Sequence, residues 1–220
     1  MKKVGLLLSG CGVNDGAEIH ESVIAMLALD RAGVEMELMA PNIDQMHVVN
    51  HYTGQEMDEY RNVLVEASRI ARGNIKDMAE ISGNDIDALI IPGGFGVAKN
   101  LCDYAMAGPE CSINPDVFRL ISELQSLNKP IGAICIAPAM MAKIFGEQGA
   151  SANMTIGFDE ATSKDIESMG CVHVECKVSD MVVDEDNNLV STPAYMEAQS
   201  IKEAADGIEK LVKQVLSMIQ

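Results

Sequence analysis

The sequence predicts an α/β fold, a mostly parallel β-sheet with helices on both faces. Short, wholly apolar runs that end in glycine or proline are typical of strands buried on both faces. Amphipathic segments with helical spacing alternate with these runs, which is the pattern of strand–helix–strand units. The chain has 220 residues, of which 48% are apolar and 22% charged. These values fit a globular protein, and because no linker-like tract divides the chain we predict a single domain over 1–220.

The predicted elements follow one another along the whole chain. A buried strand at 3–8 ends in a polar, glycine-rich turn, and a helix from Ile19 to the stop at Gly33 leads into a second strand at 34–40. The later predicted strands lie at 87–91, 130–134, 154–156, 172–174, 181–183 and 189–190. Further helices are predicted at 63–71, 117–127, 138–144, around Ile166 and at 201–219, and residues 47–52 are compatible with a short strand.

Charge and hydropathy exclude two classes of partner. Acidic residues number 33 against 16 basic ones, which gives a net charge of −17 and makes binding to a phosphate backbone unfavourable. No apolar run approaches the roughly 20 residues that span a bilayer. The apolar stretch at 4–8 is too short for the core of a signal peptide. We therefore predict a cytoplasmic protein that binds neither nucleic acid nor membrane.

The six cysteines are predicted to be thiols, because a reducing compartment does not sustain a disulfide framework. No two of them form a CxxC pair, and Cys171 and Cys176 have no matching pair of ligands nearby. A zinc site is therefore poorly supported. The default interpretation of each cysteine is a small buried apolar residue, and an exception has to be argued from its surroundings.

Cys135 has such surroundings. Ligands of parallel sheets bind at the carboxyl ends of the strands, where the loops 9–15 and 92–96 and the turn at Cys135 are predicted to lie. Small residues around Cys135 permit a sharp strand-to-helix turn from which a nucleophile protrudes. The start of the following helix would lower the pKa of the thiol. The alternative is a buried cysteine at the end of a core strand, and spacing alone does not separate the two.

Two further features belong to the same edge of the predicted sheet. The glycines at 92–96 would let backbone N–H groups face a ligand and stabilise an oxyanion, although a tight turn without a ligand has the same pattern. This run is neither a Walker loop nor a dinucleotide fingerprint. Glu21 shares a helix face with Ala17, Ile24 and Ala28, where a carboxyl could be protonated near neutral pH and hydrogen-bond a thiolate. Its neighbours Glu18 and His20 are interpreted as solvated.

Seven short stretches carry a resemblance to a known family. They are residues 9–13 (SGCGV), 20–24 (HESVI), 30–34 (DRAGV), 90–94 (IIPGG), 94–101 (GFGVAKNL), 133–138 (AICIAP) and 191–196 (STPAYM). Together they resemble the PfpI-type superfamily within the class I glutamine-amidotransferase-like fold. The likeness is greater to its ElbB-type branch, the isoprenoid-biosynthesis glyoxalases, and runs nearly end to end. It implies a flavodoxin-like three-layer sandwich with a nucleophile elbow at Cys135.

The resemblance also implies roles for particular residues. Cys135 corresponds to the nucleophile and Glu21 to the carboxylate that hydrogen-bonds it, while the N–H groups of Gly94 and Ile136 match the oxyanion-hole positions. The candidate substrate-binding residues are Gly93, Asn14 and His20. The implied activity is a weak, glutathione-independent glyoxalase reaction that converts a small 2-oxoaldehyde such as glyoxal to the hydroxy acid, without a cofactor or metal. The implied assembly is a homodimer.

The sequence departs from a full catalytic triad because no histidine is clearly placed near Cys135. His173, in a His-x-Glu run, is interpreted as an ordinary strand residue, whereas His20 lies on the helix of Glu21. A general base contributes about 10²–10⁴-fold in rate, so glutaminase activity is not expected. Two other classes stay open: a non-enzymatic thiol redox sensor or binding protein, and an amidotransferase subunit that would need a histidine in the pocket.

Overall fold

The computed structural model describes residues 2–220. Its strands are β1 (Lys3–Leu7), β2 (Glu35–Ala40), β3 (Lys76–Asp77), β4 (Ala88–Ile91), β5 (Ile131–Ile134), β6 (Asn153–Met154), β7 (Val172–His173), β8 (Val182–Asp184) and β9 (Leu189–Thr192). Its helices are α1 (Ile19–Arg31), α2 (Val63–Ile70), α3 (Tyr104–Ala107), α4 (Pro115–Ser126), α5 (Ala137–Glu147), α6 (Glu160–Ser168) and α7 (Ile201–Met218). These bounds confirm the predicted alternation of strands and amphipathic helices.

The central sheet has the spatial order β3-β2-β1-β4-β5-β9-β8. Its strands pair in parallel except for β8, which is antiparallel to β9. A separate two-stranded sheet consists of β6 and β7. The mostly parallel sheet confirms the predicted flavodoxin-like α/β fold, and the crossover from β1–β2 to β4 places a topological switch beside β1.

The core lies on both faces of the sheet because successive side chains of a strand point to opposite sides. In β4, Leu89 and Ile91 pack with α4, α5 and α6 on one face, whereas Ala88 and Ile90 pack with α1, α2 and α7 on the other. All four residues are fully buried. Burial on both faces explains why the central strands are continuous apolar runs in the sequence.

Three details differ from the sequence-based prediction. Residues 47–52 form no strand; Val49 makes only an isolated bridge with Glu56, inside a polar excursion where Tyr52 is 97% exposed. The strand expected at 154–156 is the short β6 of the side sheet. A π-helical turn over Val97–Leu101 and the short helix α3 follow the glycine-rich loop, and the sequence pattern did not predict them.

No helix within residues 2–220 has the length and apolar character needed to cross a bilayer.

The loops after β1, β4 and β5 come together at the carboxyl edge of the sheet, as predicted. The N–H of Phe95 donates to the carbonyl of Val13 at 2.7 Å, and the N–H of Gly96 donates to the carbonyl of Gly16 at 2.9 Å. Asn100 adds two donor bonds of 2.9 Å from Nδ2, to the carbonyls of Ser9 and Asp15. This network of hydrogen bonds to backbone carbonyls fixes the loops that carry the site.

Candidate active site

Cys135 occupies the turn between β5 and α5 with a backbone φ of +62°. A left-handed conformation is strained for a residue with a Cβ and often marks a functional position. The N–H of Cys135 donates to the carbonyl of Thr192 at 2.9 Å, which ties the turn to the end of β9. The residue is 8% exposed. The structure therefore has the sharp strand-to-helix turn that the sequence predicted.

Two backbone amides are directed at the Cys135 sulfur. The N–H groups of Gly94 and Ile136 hydrogen-bond it, and both lower the pKa of the thiol. Gly94 has a φ of +94°, a conformation that side chains rarely adopt. Ile136 is the residue before α5, so its N–H belongs to the positive end of that helix. These are the two amides that the family resemblance assigns to an oxyanion hole, and the structure places both of them beside the sulfur.

Glu21 lies beside the sulfur, in the first turn of α1 and with no exposed surface. Its Oε2 accepts the N–H of Gly93 at 2.8 Å, and its Oε1 accepts the N–H of Tyr195 at 3.2 Å. A hydrogen bond joins its carboxyl to the Cys135 thiol. A Cβ added to Gly93 would lie 2.8 Å from Glu21 Oε2 and 3.0 Å from Cys135 Sγ. The absence of a side chain at Gly93 therefore allows the two acids to meet.

Burial dominates the acid–base properties of this pair. It raises the pKa of Glu21 to about 7, and the charge of Glu18 acts in the same direction. Burial, followed by the charge of Glu21, also raises the pKa of the Cys135 thiol well above its usual value. The amide at the start of α5 lowers this pKa, as the sequence predicted, but the predicted net lowering is wrong because desolvation outweighs the amide donors.

The two acids are matched in their hydrogen bonding. Each accepts two backbone N–H groups, which favour its charged form, and each is penalised by burial. A dry site accommodates a second negative charge poorly, so near neutral pH the pair keeps at least one proton across its hydrogen bond. A proton held between a sulfur and a carboxyl is available for transfer during a reaction.

A cavity of about 340 Å³ opens over the Cys135 sulfur. Its apolar wall is formed by Val13, Phe95, Ala98, Ala105, Ile136 and Met196, and its polar lining by Glu18, Tyr104, Asp159, Thr162 and Tyr195. Tyr104 is held by Asp165, whose Oδ2 accepts the phenolic O–H at 2.7 Å. The site thus combines a buried thiol, an adjacent carboxyl, two amide donors and space for a ligand.

Comparison with known proteins assigns this arrangement to a family. The model of the DJ-1/PfpI family matches residues 11–198. The chain belongs to the DJ-1/PfpI family. This assignment confirms the resemblance that the short sequence stretches carry.

Two relatives and two solved structures show how far the likeness extends. The human glutamine amidotransferase-like class 1 domain-containing protein 3, mitochondrial, is 41% identical over 226 residues, which cover 98% of this chain and 83% of that protein. The zebrafish ES1 protein, mitochondrial, is 31% identical over 98% of this chain and 85% of its own length. An isoprenoid biosynthesis protein with an amidotransferase-like domain from Ehrlichia chaffeensis superposes with a TM-score of 0.93 at 37% identity over both whole chains. Drosophila DJ-1beta, with a TM-score of 0.56 and 21% identity over 99% of this chain and 95% of its own, shares the fold.

The candidate substrate-binding residues of this DJ-1/PfpI protein are not equally placed. Gly93 lies directly beside both Cys135 and Glu21. The Asn14 side chain does not line the cavity, and its backbone N–H donates to His51 Nε2 at 3.1 Å. His20 is exposed and outside the cavity, and its Nδ1 lies 2.8 Å from the hydroxyl of Tyr195. Asn14 and His20 therefore border the site and do not form its wall.

None of the four histidines lines the cavity in the described chain, residues 2–220. His173 lies on β7, as predicted, where its Nε2 accepts the N–H of Ile156 at 3.3 Å. Burial lowers its pKa, which favours the neutral ring. His47 and His51 lie in the polar excursion between β2 and α2. The described residues thus provide no imidazole at the thiol.

Sequence reasoning missed Glu18, which it took to be solvated. Glu18 is buried, with 8% of its surface exposed, and its Oε2 accepts the N–H of Glu21 at 2.7 Å as the N-cap of α1. An acidic residue three positions before another, at the start of a helix, is a capping signal that could have identified it. Glu18 lines the cavity and contributes its charge to the electrostatics of the pair.

The other cysteines lie away from the cavity. Cys11 is half-buried, and Cys102, Cys111, Cys171 and Cys176 are buried. Cys102 and Cys111 hydrogen-bond each other through their thiols. Along residues 2–220 no three histidine, cysteine, aspartate or glutamate side chains come together as metal ligands would. Of the six cysteines, Cys135 is the one that lines this cavity.

Proposed function

We propose that this protein is a cofactor-independent glyoxalase-type enzyme that converts small 2-oxoaldehydes to hydroxy acids through Cys135. The DJ-1/PfpI family includes glyoxalases and deglycases. The single observation that carries the proposal is the hydrogen-bonded pair of Cys135 and Glu21 beside a cavity that Cys135 lines. The amides of Gly94 and Ile136 hydrogen-bond the sulfur of this pair.

The proposed reaction begins with attack of the Cys135 sulfur on one aldehyde carbon of glyoxal. Protonation of the resulting oxyanion gives a hemithioacetal. The hydrogen on that carbon then leaves as a proton, and a proton is added to the neighbouring carbonyl carbon, which produces a glycolate thioester. Water cleaves the thioester, releases glycolate and restores the thiol. One carbon is oxidised while the other is reduced, so no external oxidant or reductant is required.

Glu21 is proposed to move the protons in these steps. Its pKa of about 7 makes both of its protonation states accessible near neutral pH, which is the condition for efficient general acid–base catalysis. The amides of Gly94 and Ile136 would stabilise the charge that develops on the attacked oxygen. The raised pKa of the thiol limits the thiolate available for attack, which supports the expectation of weak activity.

Glutaminase activity is not part of the proposal. Release of ammonia from an amide needs a proton donor for the leaving nitrogen, and in related thiol enzymes an imidazole supplies it. No histidine of residues 2–220 lines this cavity, and a missing acid–base group costs about 10²–10⁴-fold in rate. Incubation with glutamine is expected to release no ammonia above that of the Cys135→Ala variant.

Replacing Cys135 with alanine is expected to abolish glyoxal turnover, because the covalent intermediate requires the sulfur. The measurement is glycolate formation followed by proton NMR. Cys176→Ala is a matched control, since Cys176 is also 8% exposed but lies outside the cavity, and it should keep wild-type turnover. Equal turnover in wild type and Cys135→Ala would overturn the proposal.

A thiol redox sensor remains the second candidate, favoured by the hydrogen bond between Glu21 and Cys135. A protonated Glu21 would donate to a sulfinate oxygen, and the two amides would accommodate its charge. Mass spectrometry after graded peroxide treatment tests this candidate. Selective sulfinic acid at Cys135 without turnover of any aldehyde would favour the sensor over the enzyme.

The homodimer and the cytoplasmic location stay predictions. The human and zebrafish relatives carry the word mitochondrial in their names. Fractionation of the cells that naturally produce this protein is therefore the measurement that decides its location. Light scattering of the purified chain measures the assembly, for which a mass near twice 23.6 kDa is expected.

A further inference from the structure

We infer that the cavity over Cys135 selects an uncharged carbonyl compound with an apolar substituent and excludes compounds that carry a carboxylate. The inference rests on the proposed function for the identity of the reacting group, and it adds the size and charge of the substrate. Glyoxal itself would then be a minimal substrate that leaves most of the cavity unused.

The polar lining of the cavity is acidic. Glu18 and Asp159 both line it, and no lysine or arginine does so within residues 2–220. The Lys99 ammonium lies beside the wall residue Phe95 but does not line the cavity: Nζ donates to the Asn14 carbonyl at 2.9 Å and lies 5.4 Å from the centre of the Phe95 ring. A bound carboxylate would therefore be desolvated near two like charges and would have no cationic partner.

Both acidic residues are fixed in place by the helices that they cap. Glu18 Oε2 accepts the N–H of Glu21 at 2.7 Å, and Asp159 Oδ1 accepts the N–H of Thr162 at 2.8 Å. The bonds from Thr162 hold the pKa of Asp159 below its usual range, so it stays charged. Burial is the main cause of the raised pKa of Glu21 and of Tyr195, and the charge of Glu18 acts in the same direction on both. That contribution of Glu18 is consistent with a negative potential from the acidic side chains that line the cavity.

The volume of the cavity sets the size of the substituent. At about 30 Å³ for each water-sized group, 340 Å³ has room for roughly ten such groups, whereas glyoxal has four non-hydrogen atoms. The apolar residues of the lining, among them Val13, Phe95, Ala98 and Met196, offer apolar contact. An alkyl or aryl group on the carbonyl compound would bury its surface against this wall.

Alkylation of Cys135 measures the selection by charge without depending on turnover. Iodoacetamide is neutral and iodoacetate is anionic, and both alkylate a thiolate through the CH2 carbon that carries the iodine. The rate at Cys135 is followed by mass spectrometry and divided by the rate with glutathione under the same conditions. The charge ratio is the normalised rate with iodoacetamide divided by the normalised rate with iodoacetate, and we expect it to be at least ten. A ratio near one would overturn the inference.

Two isosteric variants connect the ratio to particular charges. Glu18→Gln and Asp159→Asn retain an oxygen for the helix cap but remove the negative charge, so each should bring the ratio closer to one. Glu160→Gln is the matched control because this side chain is 88% exposed and lies outside the cavity, and it should leave the ratio unchanged. Equal ratios in all three variants and wild type would show that these carboxylates do not control access.

Selection by size is tested with iodoacetanilide, the N-phenyl derivative of iodoacetamide. If the apolar wall receives the ring, the normalised rate should be several-fold higher than with iodoacetamide, and a lower rate would contradict the size argument. The alkylation results are independent of catalysis. Normal turnover in Cys135→Ala would overturn the proposed function and leave the charge ratio intact, whereas a ratio near one would overturn only the selection.

Discussion

Replacing Gly94 with alanine is expected to destabilise the protein by about 3 kcal/mol or more and to abolish glyoxal turnover. A Cβ at this position would lie 2.5 Å from the backbone nitrogen of Glu18 and 2.5 Å from the carbonyl oxygen of Gly16. Both of these backbone atoms belong to the hydrogen-bond network of the loops, so they cannot move aside as a flexible side chain would. Overpacking of this kind typically costs 1–3 kcal/mol, and the φ of +94° adds about 1–2 kcal/mol for a residue with a side chain. Displacement of the loop would also withdraw one amide from the Cys135 sulfur.

The contribution of the close contacts can be separated from that of the backbone conformation. Gly170 has a φ of +92°, and a Cβ added there would meet no atom within 4 Å. Gly170→Ala is therefore expected to cost only the conformational term, about 1–2 kcal/mol, with turnover unchanged. Urea unfolding of both variants gives the comparison. Equal losses of stability would mean that the loop after β4 has more room than the structure indicates.

The sequence predicted the parts of the fold and site that depend on local pattern. The small residues at 132–138 permitted a sharp turn at Cys135, and the apolar strands before it were predicted to end at one edge of a parallel sheet. The pairing of Cys135 with Glu21 was identified by resemblance to a family, because the two residues are distant in the chain. Only the folded chain brings the carboxyl and the thiol to the same point beside Gly93.

The features that sequence reasoning missed depend on burial. Glu18 is an exception to the rule that most carboxylates of helices are solvated, because its position at the start of α1 buries it against the cavity. The raised pKa of Cys135 is a balance between desolvation and two amide donors, and no pattern of residue types gives that balance. The lining also includes Tyr104, Asp159 and Thr162, whose surroundings in the sequence carry no sign of the site.

Replacing Glu21 with glutamine is expected to change stability in a pH-dependent way. The pKa of Glu21 is raised from an ordinary 4.5 to about 7, so the native state binds its proton more tightly than the unfolded chain does. Between these two values the unfolded chain loses the proton first, and the free energy of unfolding falls as the pH rises. At 1.36 kcal/mol for each unit, the wild type carries a penalty of about 3 kcal/mol above pH 7 that is absent below pH 4.5. Glutamine does not ionise and avoids this penalty.

The variant also has a cost that does not depend on pH. Its amide has one oxygen to accept the N–H of either Gly93 or Tyr195, so the other N–H loses its acceptor, at about 1–3 kcal/mol. The informative quantity is therefore the difference in unfolding free energy between variant and wild type, which should move in favour of the variant by about 3 kcal/mol from pH 4.5 to pH 8. Urea unfolding measures it. Glu160→Gln, at an exposed position, should show a change within about 0.5 kcal/mol.

The same substitution should separate stability from catalysis. Loss of the proton-transferring carboxyl is expected to lower kcat for glyoxal at least 100-fold, even at a pH where the variant is the more stable protein. Because the charge of Glu21 raises the pKa of Cys135, the pH midpoint of iodoacetamide labelling should move down in Glu21→Gln. A midpoint that moves up would mean instead that a protonated Glu21 stabilises the thiolate in the wild type. A carboxyl that destabilises the native state at neutral pH and is required for turnover is the behaviour expected of a residue placed for its chemistry and not for folding.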